Sequence, residues 1–274
     1  MIPADLQTGS DGDQGQFANE ASKDAGLIEV LGLPFQDWPL ERVAGSIVAD
    51  AGSNVTRQVY FMNAHCVNTA ARNADYARVV AAEPWLYADG AGMELAAKIE
   101  GKHFQHNVNG TDLFPVICAE AAQKDVPIGL LGARPGIAEH CAENMRAANP
   151  GLNVAFVEHG FTPAHDDEAV CTRISKSGAK ILFVAKGVPL QELWLAANRS
   201  QIACPVVIGV GALFDFYSGE MPRAPEIVRR LRCEWLFRLA MEPRRMFGRY
   251  ILGNPEFVYR ALKYKVSGRR VLVN

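Results

Sequence analysis

The chain has 274 residues, 49% of them hydrophobic and 21% charged, with a formal net charge of −2. That length buries a full core as one large domain with an appendage. The balanced charge argues against a nucleic-acid partner, and the six cysteines stand singly without a CxxC pair, which argues against a zinc ribbon or a secreted disulfide framework.

Residues 1–25 carry Asp5, Asp11, Asp13, Glu20 and Asp24 and no apolar centre. They are expected to be disordered rather than to form a signal peptide. Beyond them, short apolar runs alternate with helix-like stretches. Strands are predicted at 59–63, 85–88, 127–131, 153–157, 180–185 and 205–210. Helices are predicted at 64–80, 111–124 (capped by Thr111 or Asp112), 137 to about 148, 166–177 and 190–200. The strands read as nearly continuous apolar runs, as happens when helices cover both faces of a sheet. The series predicts a Rossmann-like α/β domain over 26–220, with a parallel sheet and helices on both faces.

After about Met221 the strand-like runs stop and arginines and aromatics dominate. Residues 221–274 hold 13 Lys/Arg and 4 Asp/Glu. A basic helical appendage is predicted there, with breaks at Pro243 and Pro255. Its charge suits an anionic partner, and it equally suits a solvated basic helix. No segment reaches the roughly 18 apolar residues of a membrane span, so any membrane contact would be peripheral.

Ligands of such sheets bind at the carboxyl ends of the strands. That rule places Asn63, Asp89, Gly132 to Gly136, Gly187 to Gln191 and Gly209 to Asp215 along one edge. Asp89 at a strand end suits a general base, although Asp-Gly is also a common turn pair. GARPG at 132–136 suits a diphosphate cradle, with Arg134 adding charge, or else a tight turn. Gln191 and Glu192 could hydrogen-bond a sugar or a base, and Glu192 could equally be a first-turn acid. The turn-rich stretch 209–225, with Asp215 and Arg223, has the texture of a binding loop. The six histidines lack metal-ligand spacing, so no metal is expected. GxGxxG, the P-loop and GxSxG are missing, so nicotinamide, P-loop and serine-nucleophile readings lack their fingerprints.

Several motifs occur in a fixed order: FMNAH (61–65), ADGAG (88–92), NGTDL (109–113), LLGARPG (130–136), VAKGVPLQE (184–192), GVGALFDFYSG (209–219), EWLFRL (234–239), EPRR (242–245) and RYILGNPEF (249–257). Together they resemble the WecG/TagA/CpsF family, glycosyltransferase family 26. The resemblance implies an inverting, metal-independent glycosyltransferase without a cofactor, its UDP-sugar being a substrate. It implies transfer of N-acetylmannosamine, its uronic acid or glucose to an undecaprenyl-diphosphate-linked sugar in cell-surface polysaccharide biosynthesis.

It further implies Asp89 as base and Gln191 as an active-site glutamine. Asn63, Gly132, Arg134, Gly136, Gly187, Gly211, Asp215 and Arg223 would then serve the donor. Arg238, Arg244, Arg245 and Arg249 would reach the acceptor diphosphate. The appendage 221–274 would close over the site and dock on an anionic membrane, placing the protein at the cytoplasmic face. Two positions depart from the family pattern: Phe61, where Thr is frequent, and Asn107, where Arg is frequent. They leave the donor sugar open, and they are the best support for a non-catalytic membrane-associated scaffold, against which Asp89, Gln191 and Arg223 stand. A homo-oligomer also stays open.

Overall fold

Six parallel strands organise the chain in the computed structural model, which describes residues 26–53, 56–230 and 233–268. The stretch 1–25, expected to be disordered, and the final basic residues 269–274 lie outside the described residues. The sheet strands are β3 Arg57–Met62, β4 Leu86–Ala88, β5 Ile128–Gly132, β6 Val154–Glu158, β7 Ile181–Ala185 and β8 Val206–Gly209. They lie in the order β4-β3-β8-β7-β5-β6, and every neighbouring pair is parallel.

The helices follow the strands: α1 Leu40–Asp50, α2 Ala64–Ala70, α3 Ala74–Ala81, α4 Gly90–Ile99, α5 Gly110–Gln123, α6 Ile137–Ala148, α7 Asp167–Ser177, α8 Leu190–Asn198 and α9 Leu213–Tyr217. Alternate strand residues point to opposite faces, which divides the core in two. Val59, Tyr87, Ile181 and Phe183 meet α1, α5 and α6 through Val43, Ile47, Phe114 and Met145. Tyr60, Met62, Leu182 and Val184 meet α2, α3, α4 and α8 through Val67, Tyr76, Met93 and Leu195. The sheet is therefore covered on both faces, which explains the unbroken apolar texture of β7 and β8.

The structure revises several predicted boundaries. The helix expected over 64–80 is two helices, because Asn73 accepts the Tyr76 N–H and starts a new one. The cap of α5 is Asn109, which accepts from Asp112 N at 2.8 Å, rather than Thr111 or Asp112. A hairpin of β1 Leu27–Val30 and β2 Leu33–Gln36 precedes the sheet, turning on Leu31 and Gly32, both at positive φ. That hairpin, α1 and α4 were not among the elements predicted.

The basic segment forms α10 Glu226–Arg230, α11 Glu234–Met241, α12 Pro243–Phe247, a π-helical turn Gly248–Leu252 and α13 Gly253–Ser267. Pro243 opens α12, as a proline break requires. Pro255 does not break the chain. It lies inside a continuous helical run, because the π-helical turn passes directly into α13 with Leu252 and Gly253 both helical. Helix α13 lies across α2 and α4, and its Phe257 and Ala261 are buried in the core on that face. Asn68 Nδ2 of α2 donates to the Gly253 carbonyl at 2.7 Å.

Candidate active site

The site begins where β3 and β4 end side by side. Asn63, in extended backbone just past β3, caps α2 by accepting from His65 N at 3.1 Å and Cys66 N at 3.2 Å. The cap fixes the amide plane, and Nδ2 then donates across to Asp89 Oδ2 at 3.2 Å. The Asp89 N–H donates to the Met62 carbonyl at 2.9 Å, which locks the two strand ends in register. Asp89 stands at the head of α4 but does not cap it with its side chain. The following Gly90 has φ 81, a conformation that favours glycine.

Asp89 faces a cavity of about 470 Å³, within the size range of small-ligand sites. Asn63, His65 and Asp89 form one wall. Asn107, Asn109 and Asp112 form a second. The appendage supplies the third, with Trp235, Arg238, Arg249 and Tyr250. Crowding by protein atoms raises the Asp89 carboxyl above the ordinary range. The Asn63 hydrogen bond and the charges of Arg249 and Arg238 draw it back, while Asp112 pushes it further up. The same burial, aided by Arg249 and Arg72, lowers the His65 imidazole to about 4, so it is neutral at physiological pH.

The arginines are not equivalent. Arg223 is paired with Asp112 and lies 4.0 Å from Glu234. Arg238 Nε and Nη2 and Arg249 Nε are buried donors without a hydrogen-bond partner among the described residues. Buried donors of cationic groups are costly to leave unpaired, and an anion satisfies them. Among the described residues, no group of three or more His, Cys, Asp or Glu is arranged to hold a metal.

Of the residues singled out in the sequence, Asn63, Asp89, Arg223, Arg238 and Arg249 share this cavity. Gly132, Arg134, Gly136, Gly187, Gln191, Gly211 and Asp215 lie outside its lining, near the carboxyl ends of β5, β7 and β8. A Cβ on Gly132 would come within 2.5 Å of the Ala185 backbone, so that turn needs glycine. Arg134 pairs with Glu220 at 2.9 Å. Asp215 is half-buried, which raises its carboxyl against the lowering charges of Arg245 and Arg134. Arg245 pairs with Glu242 at 2.7 Å, and Arg244 is exposed; neither lines the cavity.

Gln191 is buried. Its Nε2 donates to Glu192 Oε1 at 2.8 Å, and its Oε1 accepts from Gly211 N at 2.9 Å. It therefore braces the loop after β8. The two departures separate. Phe61 points away from the cavity, with its ring against Gly110 and 6.0 Å from that of Tyr87. Asn107 lines the cavity, donating to Glu94 Oε1 at 2.7 Å. His65 and Trp235 lie inside the motifs without being singled out, and Tyr250, which the basic aromatic texture of 243–265 assigns to a bilayer surface, lines the cavity instead; spacing alone does not show which face of a helix turns inward.

The chain is 31% identical over 196 residues to N-acetylglucosaminyldiphosphoundecaprenol N-acetyl-beta-D-mannosaminyltransferase of Bacillus spizizenii, an alignment covering 72% of this chain and 75% of that one. Residues 28–271 match the model of the glycosyl transferase WecG/TagA/CpsF family. The chain belongs to the glycosyl transferase WecG/TagA/CpsF family and is a glycosyltransferase.

Proposed function

We propose that the enzyme moves a sugar from a UDP-sugar to a sugar carried on undecaprenyl diphosphate, with inversion and without a metal, at the inner face of a bacterial membrane. The carrying observation is that Asp89 and guanidinium donors of Arg238 and Arg249 without hydrogen-bond partners line one cavity. A base and a cationic clamp are what an acceptor hydroxyl attached to a diphosphate needs. The relative's name describes transfer of N-acetylmannosamine to N-acetylglucosaminyldiphosphoundecaprenol. N-acetylmannosamine, its uronic acid and glucose are the donor sugars considered.

In this reading Asp89 takes the proton of the acceptor hydroxyl as its oxygen attacks the anomeric carbon of the donor. The bond from that carbon to UDP breaks, and UDP leaves with the electron pair. One displacement inverts the anomeric centre. Backbone N–H groups of the glycine turns at Gly132 to Gly136 and Gly187 cradle the donor diphosphate beside the Gly211 turn, with Arg134 and Arg223 as added charge. Gln191 holds the Gly211 turn in place.

The test is UDP release from a panel of UDP-sugars with a short-chain lipid-diphosphate N-acetylglucosamine, with and without EDTA. Acceptor-dependent release of one UDP-sugar, unchanged by chelation, is expected. A tenfold or greater loss with EDTA that Mg²⁺ or Mn²⁺ restores overturns the metal-free part. Lipid binding without transfer from any donor supports the scaffold reading instead.

A further inference from the structure

Two aromatic rings of the appendage turn into the cavity. Trp235 of α11 and Tyr250 of the π-helical turn have centroids 5.9 Å apart and planes at 58°, and both line the space that Asp89 faces. They stand beside Arg238 and Arg249, whose guanidinium groups lie over the rings of Phe216 at 5.2 Å and Tyr250 at 5.5 Å, so one face of Tyr250 is taken by Arg249 and the other is left for a ligand. Trp235 lies three residues, about one helical turn, before Arg238, and Tyr250 directly follows Arg249. Their neighbours turn the other way: Leu236 is 47% exposed, Ile251 42% and Leu252 63%. The appendage thus turns Trp235 and Tyr250 inward and leaves Leu236, Ile251 and Leu252, with Phe247, on its outer side. Asn107, Asn109 and Thr111 line the same cavity, Asn107 held by Glu94 and Asn109 by Asp112, each amide keeping one further N–H for a ligand. The π turn, a form of helix irregularity frequent at functional sites, carries both Arg249 and Tyr250.

From this arrangement we infer that Trp235 and Tyr250 are the platform for the acceptor sugar, receiving the C–H face of its N-acetylhexosamine ring. The inference rests on the lipid-diphosphate acceptor reading above. The sugar is bonded directly to the diphosphate, so with the phosphates at Arg238 and Arg249 the ring must lie within one sugar's width of them. Its hydroxyl must also reach Asp89. The aromatic pair lines the same cavity as Asp89, Arg238 and Arg249, and in this scheme the prenyl chain leaves from the far phosphate toward the exposed outer side. Aromatic faces bury the apolar face of a ring while leaving its hydroxyl edge to polar groups such as Asn107 and Thr111 of the same lining. Trp235 and Tyr250 are positioning residues in this scheme: they set the angle at which the hydroxyl meets the base.

The test uses the full chain with Trp235→Leu, Trp235→Phe and Tyr250→Leu. The KM for the short-chain lipid-diphosphate N-acetylglucosamine should rise about tenfold in both leucine variants, which corresponds to about 1.4 kcal/mol. Trp235→Phe should stay near wild type, and the KM for the UDP-sugar should not move in any variant. The sugar-free lipid diphosphate, used as a competitor, should inhibit wild type and Trp235→Leu equally. If its inhibition weakens in parallel with the acceptor KM, the rings hold the prenyl chain and the platform is overturned. Should Trp235→Leu melt at a lower temperature, Tyr250→Leu and the phenylalanine rescue carry the same comparison. A purely structural role would raise both KM values together, which also overturns the inference. Wild type that transfers no sugar sinks the underlying reading. Wild type that transfers, with an unchanged acceptor KM in both leucine variants, sinks the platform alone.

Discussion

Asn63 holds the Asp89 carboxylate at 3.2 Å while the other atom of the same amide caps α2. The helix cap and the orientation of the Asp89 carboxylate are therefore one structural feature. Burial raises the Asp89 carboxyl, and the Asn63 donor lowers it. A base works only when ionised, so the acid limb of kcat/KM should fall above the ordinary carboxylate range. Asn63→Asp keeps the cap acceptor and removes the donor, and should move that limb to higher pH. Asp89→Asn should lower turnover by about 10²–10⁴ and leave UDP-sugar binding intact. A carboxyl raised by folding contributes stability below its unfolded value and loses it as pH rises through the folded value. Asp89→Asn should therefore melt at or above the wild-type temperature at pH 8, an advantage that fades on acidification. Near wild-type transfer by Asp89→Asn would remove Asp89 as the base.

Glu192 predicts a second pH effect, in stability rather than rate. Its carboxylate is buried against Gln191, and burial lifts it from 4.5 to about 7. A raised carboxyl favours the fold when protonated, so its contribution is full below pH 4.5 and lost as pH rises through about 7. The difference is on the order of 3 kcal/mol. Glu192→Gln keeps an acceptor for Gln191 and cannot ionise, so urea unfolding should show a shallower fall in stability between pH 5.5 and 8. Glu83, also raised to about 7 by burial, should keep part of the slope. An unchanged slope in Glu192→Gln would count against this assignment.

The sheet was legible because apolar strands buried on both faces leave little other reading: β7 and β8 were found within two residues of their ends. Asp89 was legible for the same reason, since a strand end fixes where its next residue lies. The hairpin β1–β2 was hidden because each strand has four residues and its turn uses Leu31 at positive φ, which no turn residue announces. The split between α2 and α3 turned on one capping asparagine. Trp235 and Tyr250 could not be assigned an inward face before the π turn was known. Phe61 and Asn107 were equal departures in sequence, and only the pleat of β3 and the course of residues 107–109 into α5 separate them.

Helix α13 is tied to α2 by a buried hydrogen bond from Asn68 to the Gly253 carbonyl and by Phe257 in the core. Asn68→Ala leaves that carbonyl without its partner and should cost about 1–3 kcal/mol. Phe257→Ala should cost about 3–5 kcal/mol. The loss should be local. Amide exchange should speed up over residues 253–267 while β7 and β8 stay protected, and acceptor KM should rise before donor KM does. Equal loss of protection in sheet and tail would show that the tail does not open separately.

The outer side of the appendage leads to the last prediction. Phe247, Ile251 and Leu252 are 52%, 42% and 63% exposed, and Arg244 and Arg245 beside them are exposed too. No helix among the described residues is long and apolar enough to cross a membrane. Exposed aliphatic and aromatic groups next to cations suit an anionic bilayer surface. Each cation near such a surface contributes about 1 kcal/mol, and each fully buried large side chain about 1.5–3 kcal/mol. Deleting the whole tail is a poor test, because Met246, Phe257 and Ala261 are buried and their loss would open the core. Ile251→Glu with Leu252→Glu changes only exposed side chains. The double variant should bind vesicles containing anionic lipid at least about 100-fold more weakly, since two such groups at the low end of that range supply about 3 kcal/mol. Wild-type binding should itself weaken as salt rises. Melting temperature and transfer to a soluble short-chain acceptor should match wild type, because neither side chain lines the cavity. Vesicle binding that survives the double substitution would move the docking surface elsewhere. Lost activity on the soluble acceptor would show instead that this outer side is needed for catalysis itself.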